Sequence, residues 1–191
     1  MLEDIKGNLF TVEEAAACGV SRAQLSRMVG EGTVERLARG VYARPGKVCH
    51  PMMASAILAK SGTDFVVALE SALRMHDFTT AMPHALWIKL PRGARKPAAD
   101  FPIETIFVKA DDFGVGVEVK EIEGVPVKVT GAAKTVVDLF RFRGRVGLDI
   151  ALEAMKEGLR EGLFTADKLI ACARGVKMAN VIRPYVEGYF G

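Results

Sequence analysis

A chain of 191 residues, half of them hydrophobic and 26% charged, can bury a proper core and is too evenly composed for global disorder. Its net charge of +3 is too mild to imply nucleic acid by itself, so the distribution of charge has to decide. Cys18, Cys49 and Cys172 stand far apart with no C-x-x-C pair, which argues against a disulfide framework or structural zinc site and for a reduced, cytoplasmic compartment.

Met1 to Lys6 does not read as a signal peptide, and no apolar run approaches the ~20 residues of a membrane span. Thr11-Val12-Glu13-Glu14 then has the T-x-x-E form of a capping box and predicts a helix from Val12 to about Cys18, stopped at Gly19. Ser21-Arg22-Ala23-Gln24 repeats the device, with Val20 and Leu25 placed as a hydrophobic staple. A second helix should run from Arg22 to about Glu31, with Leu25, Met28 and Val29 on its apolar stripe. Two short helices joined through a glycine have the spacing of a helix-turn-helix. Thr33 to Leu37 and Val41 to Pro45, flanking Ala38-Arg39-Gly40, read as a two-stranded wing.

Charge is segregated along this segment. Val20 to Lys47 holds six basic and two acidic residues, whereas residues 1–19 hold one basic and four acidic. The positive field therefore belongs to the second helix and the wing, the surfaces that meet DNA in this motif. Arg22, Ser26 and Arg27 are expected toward the major groove, because the N-terminal part of a recognition helix reaches base edges. Arg39 at the wing tip is expected on phosphate or the minor groove, with Arg36 and Arg44 as further DNA-binding positions. Tyr42 is read as a packing residue. The alternative is a protein-contact module whose arginines are merely solvated.

Gly46 to Cys49 reads as a linker, dividing a domain of residues 1–47 from one of 48–191. His50-Pro51 should open a helix ending near Lys60, and a second should cover Ala68 to His76. Strands are expected at Ala85–Leu90, Ile103–Lys109, Val115–Ile122 and Pro126–Thr130, the last two joined through Glu123-Gly124. Helices should return at Ala132–Phe142, along the stripe Leu148, Leu152, Met155 and Leu159, from Thr165 to Arg174, and at Val181–Tyr189. The expected class is α+β: a winged helix-turn-helix followed by an α/β domain with a small, mainly antiparallel sheet and C-terminal helices.

Two further basic clusters stand out. Lys89, Arg92, Arg95 and Lys96 are placed on the loop after the first of these strands, as a secondary patch. Arg141, Arg143 and Arg145 sit at a helix C-terminus, which favours cations. Either could extend a nucleic-acid footprint, and solvated loop or helix-end charge explains each equally well. Catalytic signatures are missing: no G-x-S-x-G, P-loop or G-x-G-x-x-G occurs, and His50, His76 and His84 have no metal-ligand spacing. The reading is therefore no enzyme, no metal and no cofactor. Asp111 and Asp112, with Glu118, Glu121, Lys109 and Lys120, leave a metal-dependent nuclease as the lesser alternative.

The pattern T-x-E-E-A-A-x-x-G-V-S-x-x-x-L-x-x-x-V-x-x-G-x-x-E-R-L-x-R-G-V-Y, from Thr11 to Tyr42, resembles the N-terminal domain of AbiEi-type antitoxins. The likeness continues in Ala68-Leu69-Glu70-Ser71-Ala72-Leu73, in Leu86-Trp87-Ile88-Lys89-Leu90-Pro91-Arg92-Gly93, and from Val129 to Leu139. Lys134 departs from the arginine common there. The resemblance implies the antitoxin of a type IV toxin–antitoxin pair in viral defence. Its N-terminal domain would bind inverted repeats in its own promoter as a repressor, with two molecules on the DNA. Its C-terminal domain would neutralise a nucleotidyltransferase-like toxin without a stable complex.

Overall fold

The computed structural model describes residues 5, 7–46, 52–80 and 83–191. The chain forms two compact units, and the first draws on the described residues of Met1–Phe65 together with Pro97–Pro102 and Val119–Val127. It opens with β1 (Leu9–Thr11), α1 (Val12–Ala17) and α2 (Arg22–Gly30), continues with β2 (Glu35–Ala38) and β3 (Val41–Ala43), and includes α3 (Met53–Lys60). Most of the linker and the expected His50-Pro51 helix opening lie outside the described residues.

Both capping boxes form. Thr11 Oγ1 accepts from the Glu14 amide while Glu14 accepts from the Thr11 amide, and Ser21 with Gln24 does the same for α2. The staple residues Val20 and Leu25 are both buried, beside Phe10, Ala15 and Val34. β2 and β3 turn over Arg39-Gly40, where Gly40 takes a φ of 79° that a side chain would resist. The unforeseen β1 pairs with β3 from Leu9↔Ala43 to Thr11↔Val41, so the hairpin is part of a sheet ordered β1-β3-β2.

The second unit contains β4 (Val66–Val67), α4 (Leu69–Met75), β5 (Leu86–Pro91), β6 (Ile103–Val108) and α5 (Ala110–Phe113). β7 (Val117–Ile122) and β8 (Val125–Thr130) follow, with their Val119–Val127 portion counted in the first unit, then α6 (Ala132–Arg141), α7 (Arg143–Val146), α8 (Leu148–Arg160), α9 (Ala166–Gly175) and α10 (Ala179–Phe190). The class is α+β. The β7–β8 turn has positive φ at both Glu123 (51°) and Gly124 (77°), the backbone of a two-residue hairpin loop.

The larger sheet, ordered β6-β5-β4-β8-β7, corrects the expectation of a mainly antiparallel one. β4 is antiparallel to β5, but β5 and β6 are parallel from Leu86↔Ile103 to Pro91↔Val108, and β4 meets β8 in parallel at Val67↔Val129. The connection from Arg92 to Pro102 is long enough to carry the chain back and start β6 in the same direction. β4, a two-residue strand, lies in the middle of this sheet and had no sequence signal of its own.

The core of this unit gathers on α6, whose Val136, Val137, Leu139 and Phe140 are fully buried as it packs against α4, α8 and α9. α8 buries Ala151, Ala154, Met155 and Gly158 rather than the expected leucines, and Leu148 is 36% exposed. Close approach selects the small residues: a Cβ on Gly158 would stand 2.3 Å from the Phe164 ring and 2.9 Å from Phe78. Among the described residues no helix is long and apolar enough to cross a membrane.

Candidate nucleic-acid interface

The first unit carries exposed arginines on α2 and on the hairpin. Arg22 occupies the first position of α2, directly after the Ser21 cap, and Ser26 and Arg27 follow on the exposed face opposite buried Leu25. Arg36 projects from β2 and Arg39 from the turn, both exposed. Among the described residues the side chains of Arg22, Ser26, Arg27, Arg36 and Arg39 have no hydrogen-bond or ion-pair partner.

Three of these arginines converge. Arg22, Arg36 and Arg39 line one concavity of about 550 Å³, closed by Thr11, Val12, Val41 and Tyr42. Ser26 and Arg27 are not part of its wall. Tyr42 is half-buried and stacks on Phe10 with ring centroids 6.0 Å apart, in keeping with a packing role.

Lys60, which no sequence motif marks, lines the same concavity from the end of α3, with Ser61 beside it. Its ammonium lies 2.6 Å from Glu14 Oε1, while Glu14 Oε2 accepts from the Thr11 amide at 2.7 Å. Burial would raise the Glu14 carboxyl, but Lys60 and the Thr11 amide outweigh it and hold the group below its ordinary range.

Residues 1–45 match the family described as "Transcriptional regulator, AbiEi antitoxin". No curated protein matches the chain. The AbiEi match takes in the capping boxes, α2, the hairpin and every arginine of the concavity, and it ends before α3, so Lys60 and Ser61 lie beyond it.

Arg44, also within the AbiEi match, has a different position from its neighbours. It is half-buried, and its guanidinium donates to the carbonyls of Gly7 (2.5 Å) and Ile5 (3.1 Å), clasping the segment that leads into β1. It does not line the concavity.

The proposed secondary patch loses one member. Lys89 is not on a loop but in β5, fully buried, while Arg92, Arg95 and Lys96 are exposed on the segment that follows. The lysine sits in an apolar run because the interior of this unit holds carboxylates for it. Lys134 Nζ pairs with Asp138 Oδ1 and lies 3.2 Å from Asp112 Oδ1, and Arg141 donates to Asp112 Oδ2 at 2.5 Å. Lys89 Nζ reaches the Asp112 carbonyl at 3.5 Å. Burial, with the nearby cations Lys134 and Arg141, overrides the attraction of Asp138 and Asp112 and pushes the Lys89 ammonium down to about 8. Burial likewise raises the Asp138 carboxyl, whose Oδ2 has no hydrogen-bond partner.

The Arg141–Arg145 cluster is engaged internally. Arg143 donates to the Phe140 carbonyl, and Arg145 donates to Glu104 and the Thr105 carbonyl while lying 4.8 Å above the Trp87 ring. Asp111 is exposed, whereas Asp112 is neutralised by two cations, and among the described residues no group of three metal-type ligands assembles.

Proposed function

We propose that the chain is a sequence-specific DNA-binding repressor, and that α1, α2 and the β2–β3 hairpin act as a winged helix-turn-helix with α2 in the major groove. The observation that carries this reading is the set of exposed, unpartnered arginines on α2 and the hairpin. Buried charges find partners, and surface arginines that have none in the free protein are available to phosphate and base edges. The AbiEi match over residues 1–45 supports regulation of transcription as the role.

In this reading Ser26 and Arg27 face base edges, and Arg22, which lines the concavity with Arg36 and Arg39, holds phosphate with them at the edge of the major groove. Arg44, clasping its own chain, positions the hairpin. Two copies occupy an inverted repeat in the promoter of the chain's own gene. Residues 48–191 perform the antitoxin work against a nucleotidyltransferase-like toxin, a role that rests on the sequence resemblance.

Mobility shift with duplex DNA from upstream of the gene tests the proposal. Arg27→Ala should cost about 1–3 kcal/mol on the operator and relax its sequence preference. Arg39→Ala should weaken all duplexes alike and lower the slope of log K against log salt by about 1. A protein that ignores these duplexes even in dilute salt overturns the reading.

A further inference from the structure

We infer that Lys60, set against Glu14 at the end of α3, completes a backbone-phosphate seat with Arg22, Arg36 and Arg39, and that the Glu14 carboxylate restrains how strongly that seat holds a phosphodiester. The inference rests on the DNA-binding reading and extends the contact surface beyond residues 1–45.

The concavity of about 550 Å³ has four cations in its wall and one carboxylate, Glu13. A pocket so lined is a seat for an anion that a protein can share with solvent, and a phosphodiester is the anion that a duplex presents. The arginines come from the start of α2, from β2 and from the turn, so their planar groups approach from different elements. Lys60 comes from the last turn of α3, where the helix terminus favours a cation. Its side chain is 16% exposed, so packing and the ion pair with Glu14 fix where its ammonium sits.

Glu14 is itself held in place. One oxygen accepts from Lys60 and the other from the Thr11 amide of the capping box, and the two contacts together set the carboxylate beside the ammonium. It therefore has two opposed effects at the same seat: it aims the ammonium, and it sets a negative charge against the incoming phosphodiester. An ammonium has three donors, so Lys60 can meet Glu14 and a phosphate oxygen together. The hydroxyl of Ser61 already donates to the Leu58 carbonyl and is not counted as a ligand.

The two members of the pair should shift DNA affinity in opposite directions. Lys60→Gln is expected to weaken binding to operator and unrelated duplex alike and to lower the salt slope by about 1, as the loss of one phosphate contact does. Lys60→Arg should restore the slope. Glu14→Gln keeps an oxygen for the Thr11 amide, removes the opposing charge, and should tighten binding several-fold at low salt. The measurement is a salt titration of the full-length chain on fluorescent operator and on a scrambled duplex of equal length, with Arg39→Ala alongside. Lys60→Gln and Glu14→Gln moving affinity in opposite directions supports the seat, since damage to folding would weaken both. If Arg39→Ala weakens binding while both Lys60→Gln and Glu14→Gln bind as wild type does, the seat is wrong and the DNA-binding reading stands. If wild type binds neither duplex, both fall.

Discussion

The buried charges of the second unit concentrate the strongest single-residue effects. Lys134 is 2% exposed and is the cation between Asp112 and Asp138, so Lys134→Met leaves the buried Asp138 without its ion-pair partner and Asp112 with Arg141 alone. A cost of about 3–5 kcal/mol is expected, read from urea denaturation. Lys89 brings the cluster to three cations against two carboxylates, and its neutral form leaves the two signs balanced. Because its pKa is pushed down to about 8 from an ordinary 10.5, the unfolded chain binds this proton more tightly than the folded one between those values. Folding stability contributed by this group therefore rises with pH across that window, by up to about 1.4 kcal/mol per unit. Comparing wild type with Lys89→Met at pH 8 and pH 10 isolates the effect, and a difference that does not change with pH would refute it. None of this was legible in the sequence, where Lys89 falls near the end of the strand expected at Ala85–Leu90 and, next to Pro91-Arg92-Gly93, is grouped with the basic residues of the loop that follows. A lysine in an apolar run is a buried cation only if distant carboxylates face it, and Asp112 and Asp138 are brought there by the fold.

At the level of elements, the legible parts were those encoded by local chemistry. The two capping boxes, the glycine-bearing turn at Gly40 and the Glu123-Gly124 hairpin follow from a few adjacent residues, and their elements fall within a few residues of where the sequence places them. Ser21 shows how function depends on such a device. Its hydroxyl caps the helix that carries Arg22, so Ser21→Ala should cost about 1 kcal/mol of stability and weaken DNA binding as the first turn of α2 frays, measured by urea unfolding and mobility shift. β1 and β4 were not legible because three and two residues are too few to show a period, and each is a strand only through its partners across the sheet. On α8 the leucine stripe misleads about which face lies deepest, since alanine and glycine let the helices approach more closely than leucine would. Of the concavity, the three arginines were legible from charge segregation, while Lys60 was not, because pairing over 46 residues with Glu14 leaves no local trace.

For the whole molecule, one α2 and one hairpin contact a single half-site, so the proposed repressor needs two copies on a two-fold-related sequence. Their half-sites should lie about 10 base pairs apart centre to centre, or a multiple of that. Inserting five base pairs between them should abolish cooperative binding, and inserting a full turn should leave each half-site on the same face; footprinting across such a series reads this directly.

The two-residue β4 also has a consequence for how the protein is made. One neighbour, β5, follows it closely, but the other, β8, is far along the chain: Thr130 Oγ1 donates to the Val67 carbonyl across 63 residues. Until the ribosome has delivered β8, one edge of β4 is uncovered. Chains cut short before Val125 would carry that open, sticky edge permanently, and such fragments are the form of this protein that should clump and call on chaperones during synthesis.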